Sequence, residues 1–147
     1  MNHSITLERN ALPLIDAKAY FVPELFSKEE ADELFASLLS DIAWTQVTGM
    51  MFGRPTPMPR LTAWYGEPDM VYSYTGITHT PLPWNDTLAR IKARIEPLSG
   101  TVFNSVLLNR YRDGKDSVSW HSDDESELGT NPIIGSVSLG HSRNFQM

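Results

Sequence analysis

The chain of 147 residues contains no cysteine. Disulfides, zinc–thiolate centres and thiol nucleophiles are therefore excluded, and any metal must be held by His, Asp, Glu, carbonyl oxygen or water. The absence is compatible with the cytosol. No window is apolar enough to span a bilayer. The opening, "MNHSITLERNALPLIDAKAYF", lacks the basic head and apolar run of a signal peptide. There is no internal repeat and no low-complexity tract. There is also no basic excess: the formal net charge is −6, which argues against a general nucleic-acid coat. The acid is unevenly placed, with eight acids and three bases over residues 1–41 against ten and nine over residues 42–147. A local basic patch around Arg54, Arg60, Arg110, Arg112 and Lys115 is compatible with that balance. The expected setting is intracellular, cytoplasmic or nuclear in a eukaryote, without membrane contact.

What is present amounts to one domain with a core of its own. "FSKEEADELFASLLSDIAW" predicts a helix, capped by Ser27 with Glu30 completing a capping box and Leu34, Phe35, Leu38 and Leu39 as its apolar stripe. "WNDTLARIKARIEPLSG" predicts a second, capped by Asn85 or Asp86, with Leu88, Ile91 and Ile95 facing the core and Pro97 ending it. "GMMFGRPTPMPR" is too rich in Gly and Pro for helix and predicts a hairpin or loop. "RLTAWYG", "DMVYSYTG" closed by Thr75-Gly76, "TVFNSVLLNRYR" and "DSVSWHSD" predict strands, and "PIIGSVSLG" with "RNFQM" a pair joined through Gly140 to Ser142. The pattern is α+β or mainly β, with helices buttressing a sandwich. No stop signal lies near Met147, so "RNFQM" is expected to be a strand cut while running, and the chain to be C-terminally incomplete.

His121 and Asp123 stand two apart. On a strand they would share a face and could meet one ion. Imidazole plus carboxylate without sulfur suits Fe(II), Mn or Zn, and one more His would complete the facial triad of a non-haem iron oxygenase. Taken alone, the same triplet also fits a solvated polar loop. Asn109 and Tyr111, also two apart, would share a face of the preceding strand, where an amide and a phenol can hold a small polar cosubstrate. They fit equally a strand-edge Asn and a half-buried core Tyr.

"FNSVLLNRYRDGKDSVSWHSDDE" resembles the signature of the AlkB-like Fe(II)/2-oxoglutarate dioxygenases, especially the animal homologues 2 and 3 that repair alkylated nucleic acid. "PRLTAWYG" and "YSYTG" upstream, and "PIIGSVSLG" and "RNFQM" downstream, resemble the same family, so the likeness runs from about Trp44 to the end. The resemblance implies a double-stranded β-helix, or jelly roll, with N-terminal buttressing helices and its last strands missing. Residues 1–41 would be an N-terminal extension with a helix. Residues 42–147 would hold the base-recognition region and the first half of the jelly-roll core of one Fe(II)/2-oxoglutarate dioxygenase domain.

The resemblance further implies that His121 and Asp123 are catalytic iron ligands and that Asn109 and Tyr111 hydrogen-bond 2-oxoglutarate. Tyr72 and Tyr74 would contact the extruded base, with Trp120 and Glu125 beside the metal pair. Met51, Phe52 and Gly53 fall where some members carry a duplex-probing hairpin; otherwise Met51-Phe52 anchors a loop on the core, and the tyrosines are ordinary strand alternation. Arg60, Arg110, Arg112 and Lys115 are candidate phosphate contacts or solvated surface. Asp124 is a candidate to order a neighbouring arginine. The family's third ligand, a second His, and its cosubstrate-binding Arg have no counterpart here: His141 falls at a turn and Arg143 matches a strand Arg. The activity implied is oxidative demethylation of N-alkylated nucleobases, such as 1-methyladenine and 3-methylcytosine, in DNA or RNA, using Fe(II), 2-oxoglutarate and O2, by a monomer. The alternatives are an inactive fragment that binds nucleic acid or a protein partner, and a hydroxylase of proteins or small molecules on the same fold.

Overall fold

The computed structural model describes residues 10–15, 17–74, 77–123 and 128–146. The elements run α1 (Lys28–Asp41), β1 (Thr48–Met51), β2 (Arg54–Pro57), β3 (Leu61–Gly66), β4 (Tyr72–Tyr74), β5 (Ile77–His79), α2 (Asp86–Ser99) and β6 (Ser105–Arg110). The class is α+β with short antiparallel strands. No described helix is long and apolar enough to cross a membrane.

Both helices begin where their side chains dictate. Ser27 accepts from the Glu30 amide, and Glu30 reaches back to the Ser27 amide, so the capping box closes in both directions. Asn85, rather than Asp86, caps α2 by accepting from the Leu88 amide at 2.9 Å. Pro97 does not end α2. The helix runs on to Ser99 and stops at Gly100, whose left-handed backbone (φ 67°) sends its amide to the Glu96 carbonyl. Proline near a C-terminus removes one ladder bond and leaves the last turn intact. The helices are tied by Arg94 to Glu30 and Arg90 to Glu33, at 2.9 and 2.8 Å, and Arg94 also donates to the Leu25 carbonyl.

The strands form three separate antiparallel pairs: β1–β2, β3–β6 and β4–β5. β3–β6 is the longest and carries the core. Ala63, Tyr65 and Leu108 are buried on one face with Ile42 and Leu88, and Leu38, Trp44, Trp84 and Val106 pack around them. The Tyr65 hydroxyl accepts from the Ala43 amide at 3.0 Å, so its one polar atom is satisfied. Gly66 is required, because a Cβ there would lie 2.7 Å from the Asn104 carbonyl oxygen and 2.8 Å from the Ser105 Cβ. The opposite face carries Thr62, Trp64, Ser105, Leu107 and Asn109, and Leu107 is 59% exposed.

β1 and β2 form a hairpin through Phe52-Gly53, with Met51 opposite Arg54, Met50 opposite Pro55 and Thr48 opposite Pro57. Beyond β6 the expected strands are not formed. Described residues 111–123 and 128–146 hold no strand, so "DSVSWHSD", "PIIGSVSLG" and residues 143–146 of "RNFQM" are irregular, and no sandwich is formed among the described residues. A strand persists through its ladder to a neighbour, and side-chain alternation alone does not supply one. The last segment is nevertheless docked. A Cβ on Gly135 would meet Phe103 at 3.0 Å and Ile95 at 3.1 Å, and one on Gly140 would meet the Phe35 ring at 2.7 Å. Phe35, expected on the buried stripe of α1, is 39% exposed and faces this glycine turn instead. Thr75-Gly76 lies outside the described residues.

Candidate metal and cosubstrate site

His121 and Asp123 lie in a loop, so the shared strand face expected for them does not exist. The backbone brings them together by another route. His121 Nδ1 lies 2.8 Å from the Ser119 carbonyl oxygen. A carbonyl only accepts, which assigns the proton to Nδ1 and leaves the Nε2 lone pair free. That nitrogen faces Asp123 Oδ1 at 3.5 Å. A proton on Nε2, or a cation between the two atoms, would satisfy both. At the usual first-row metal–ligand lengths of about 2.1 Å one ion can touch both atoms, and a second-row hydrogen bond on the far ring nitrogen is the usual support of a metal-binding His. The donor set therefore fits an oxygen- and nitrogen-liking divalent metal such as Fe(II). Both side chains are about half exposed, so water has access to the remaining positions. Among the described residues no group of three or more His, Cys, Asp or Glu converges on an ion. His141 is thus not gathered with this pair; its Nδ1 contacts the Ser142 carbonyl at 3.0 Å.

Asn109 lies in β6 opposite Thr62, on the exposed face. Tyr111 lies just beyond β6, which ends at Arg110. Its ring is half-buried beneath the Arg143 guanidinium, at 4.4 Å from the centroid. Arg143 in turn donates to the carbonyls of Asp113 (3.0 Å) and Asp116. Asp116, buried at 6% exposure, takes the Arg112 guanidinium as a fork at 2.7 and 2.9 Å and also the Arg112 amide at 2.9 Å. The Arg112 side-chain and backbone donors hold the Asp116 carboxyl at about 2, well below the usual carboxylate value. The same hydrogen bond raises the Arg112 guanidinium. Arg112 also donates to Gln46 Oε1 at 3.0 Å. Arg112 is therefore committed to Asp116 and Gln46 and is not free to meet phosphate, a correction to its place among the phosphate candidates. The Arg112–Asp116 spacing of four was the signal available in the sequence. Nothing there pointed to Arg143, whose partners are backbone carbonyls.

Met51 is 49% exposed and Phe52 99% exposed at the hairpin tip, so neither anchors a loop on the core. Phe52 has φ 49° and Gly53 φ 74°, the two positive values of a type I′ turn. Arg60 is half-buried, and its Nε is buried without a hydrogen-bond partner among the described residues. Trp120 is 74% exposed beside His121. Tyr72 and Tyr74 contribute backbone to β4; their side chains, like Asp124 and Glu125, lie outside the described residues.

The profile of the 2OG-Fe(II) oxygenase superfamily matches residues 18–147. Alpha-ketoglutarate-dependent dioxygenase alkB homolog 3 of Homo sapiens is 48% identical over 126 residues, covering 85% of this chain and 43% of that protein. The Rattus norvegicus protein of the same name is 47% identical over 126 residues, covering 85% and 42%. DNA oxidative demethylase ALKBH2 of Homo sapiens is 40% identical over 126 residues, covering 82% and 48%. The chain spans less than half the length of these curated relatives.

Proposed function

The chain belongs to the 2OG-Fe(II) oxygenase superfamily, in its AlkB-like branch, and from that premise we propose that it serves oxidative demethylation of N-alkylated nucleobases in DNA or RNA. The family's cofactors are Fe(II) and 2-oxoglutarate, with O2 as oxidant. The observation that carries the reading for this chain is the His121–Asp123 pair, its Nε2 freed by the Ser119 carbonyl and turned on the carboxylate at 3.5 Å. These two residues hold the iron. Asn109 and Tyr111 hydrogen-bond 2-oxoglutarate. When bound, iron, cosubstrate and oxygen supply the oxidising power that hydroxylates an N-methyl carbon, and the product sheds formaldehyde to restore the base.

The remaining residues bind and orient. Tyr72, Tyr74, Trp120 and Glu125 receive the flipped base, such as 1-methyladenine or 3-methylcytosine, whose methyl lies on the Watson–Crick edge. Met51, Phe52 and Gly53 enter the stack as a wedge, and Arg60 is the candidate contact to the substrate backbone. The domain is a single Fe(II)/2-oxoglutarate unit of jelly-roll type, preceded by the acidic segment 1–41. Names of the relatives that include DNA demethylation support the substrate class.

The test is an anaerobic titration of the chain with Fe(II) and 2-oxoglutarate, followed by the charge-transfer band of the complex. The band is expected in the wild type and absent in His121→Ala and Asp123→Ala. A band that survives either substitution removes the assignment. One observation favours a second reading, binding of nucleic acid or a protein partner without turnover: only two metal donors converge among the described residues. A wild-type chain that gives no band yet retains methylated oligonucleotide selects that reading.

A further inference from the structure

β6 ends at Arg110, so no ladder bond fixes Tyr111, yet its ring is held. We propose that Arg143 is the positioning residue of the cosubstrate site, clamping Tyr111 from a segment that shares no strand with it. The inference rests on the reading of Tyr111 as a 2-oxoglutarate ligand.

The clamp is built in layers. The guanidinium carbon lies over the ring, 4.4 Å from its centroid, and the group is pinned by the carbonyls of Asp113 and Asp116. Those carbonyls belong to a turn that is itself closed. The Asp116 amide donates to the Asp113 carbonyl at 3.3 Å, and the Lys115 amide to Asp113 Oδ1 at 2.8 Å. The Ser117 amide donates to the Pro59 carbonyl at 2.8 Å, tying the turn to the chain that leads into β3. The one buried carboxylate of the turn, Asp116, is taken by the Arg112 fork. The hydrogen bonds of Arg143 therefore go to neutral oxygens, and its charge rests over the phenol. Arg143 is itself exposed and Tyr111 half-buried, so the cation–π contact is a modest one that biases the ring toward one orientation. A cation on the ring face also makes the hydroxyl a stronger donor toward a carboxylate, which is what 2-oxoglutarate presents. Arg suits the task better than Lys, because its donors are fixed in one planar fork and less freedom is lost for each carbonyl bonded.

The experiment is a double-mutant cycle on the 147-residue chain, with Arg143→Gln, Tyr111→Phe and both together. It measures Fe(II) affinity without cosubstrate and 2-oxoglutarate affinity with Fe(II) bound. Arg143→Gln is expected to weaken 2-oxoglutarate about tenfold, the lower end of outer-shell losses, and to leave Fe(II) affinity unchanged. In the Tyr111→Phe background the same change is expected to cost nothing further. Arg143→Lys should fall between wild type and Arg143→Gln, and it replaces Arg143→Gln in the cycle if that variant fails to fold. A loss of 2-oxoglutarate affinity that is the same with and without the Tyr111 hydroxyl overturns the inference, as does a parallel loss of Fe(II). If Tyr111→Phe weakens 2-oxoglutarate and Arg143→Gln does not, the inference falls and the cosubstrate reading stands. If Tyr111→Phe is silent, or the wild type binds no 2-oxoglutarate, the cosubstrate reading itself falls and takes the inference with it.

Discussion

Replacing Phe52 by Asn should make the protein more stable and a poorer binder of duplex. Phe52 occupies the left-handed region at φ 49°, in a turn that favours Asn or Gly at its first central position. For an L-residue with a bulky side chain that conformation costs about 1–2 kcal/mol, and Asn recovers roughly 1 kcal/mol of it. Nothing is lost in packing, because the Phe52 side chain is 99% exposed. For a chain of this size 1 kcal/mol corresponds to about 2–4 °C in Tm. Thermal unfolding should therefore show a rise of that order in Phe52→Asn. Binding should move the other way. An aromatic ring stacked on a base contributes about 1–3 kcal/mol, so affinity for a methylated duplex should drop about five- to a hundredfold, and affinity for the same single strand should drop less. A Tm that stays or falls refutes the strain argument. A Tm that rises with duplex affinity unchanged keeps the strain and removes the wedge. Strain retained at an exposed aromatic tip is the kind of local expense that functional sites carry.

Three further outcomes follow from the packing and the charges. The folded Asp116 carboxyl lies at about 2, below its ordinary value, so its contribution to stability is complete above about pH 4 and is lost as pH falls toward 2; urea midpoints across that window should fall in the wild type and flatten in Asp116→Asn, and parallel curves would refute the assignment. Leu34, 1% exposed on α1, should cost about 2–5 kcal/mol when cut to Ala, read from urea unfolding, and a loss below about 1 kcal/mol would mean that the site is not packed. Gly66→Ala drives a methyl against the Asn104 carbonyl and Ser105; backbone cannot step aside as a side chain can, so a loss of about 1–3 kcal/mol and faster amide exchange along β3–β6 are expected, and protection equal to wild type would show that the contact relaxes freely.

The elements that the sequence announces are those with local determinants. The Ser27–Glu30 box and the Asn85 cap mark both helix starts, and the two-residue Phe52-Gly53 connection marks the hairpin, because each closes its own hydrogen bonds within a few residues. β3 and β6 were also legible, since their alternation matches the burial of Ala63, Tyr65 and Leu108. Residues 116–123 and 132–146 alternate as well as β6 does, yet hold no strand among the described residues; a strand is a property of two segments, and one segment's pattern does not contain its partner. The His121–Asp123 proximity was read from the right spacing and the wrong cause, a loop closed on the Ser119 carbonyl in place of a pleat. Pro97 misled because its ring conflicts with the preceding turn only, and Gly100 does the stopping. The clamp on Tyr111 was invisible for a different reason: Arg143 binds backbone oxygens, and these carry no residue identity to read.

The prolines of β2 have a consequence for how the hairpin behaves among other chains. Met51 and Arg54 flank a two-residue turn and exchange ladder bonds, as do Gly49 and Thr56. Pro55 and Pro57 alternate with these positions, so their nitrogens fall on the outer rim of the ribbon. There an ordinary residue would offer an N–H to any passing strand, and proline has none to offer. Along β2 the rim presents carbonyls without donors, so a strand approaching from that side meets only half a ladder. The β2 side of the hairpin is thereby protected against recruitment into a neighbour's sheet. A tip as apolar as Met50, Met51 and Phe52 is thus carried on a ribbon whose β2 edge offers no full ladder to a neighbour.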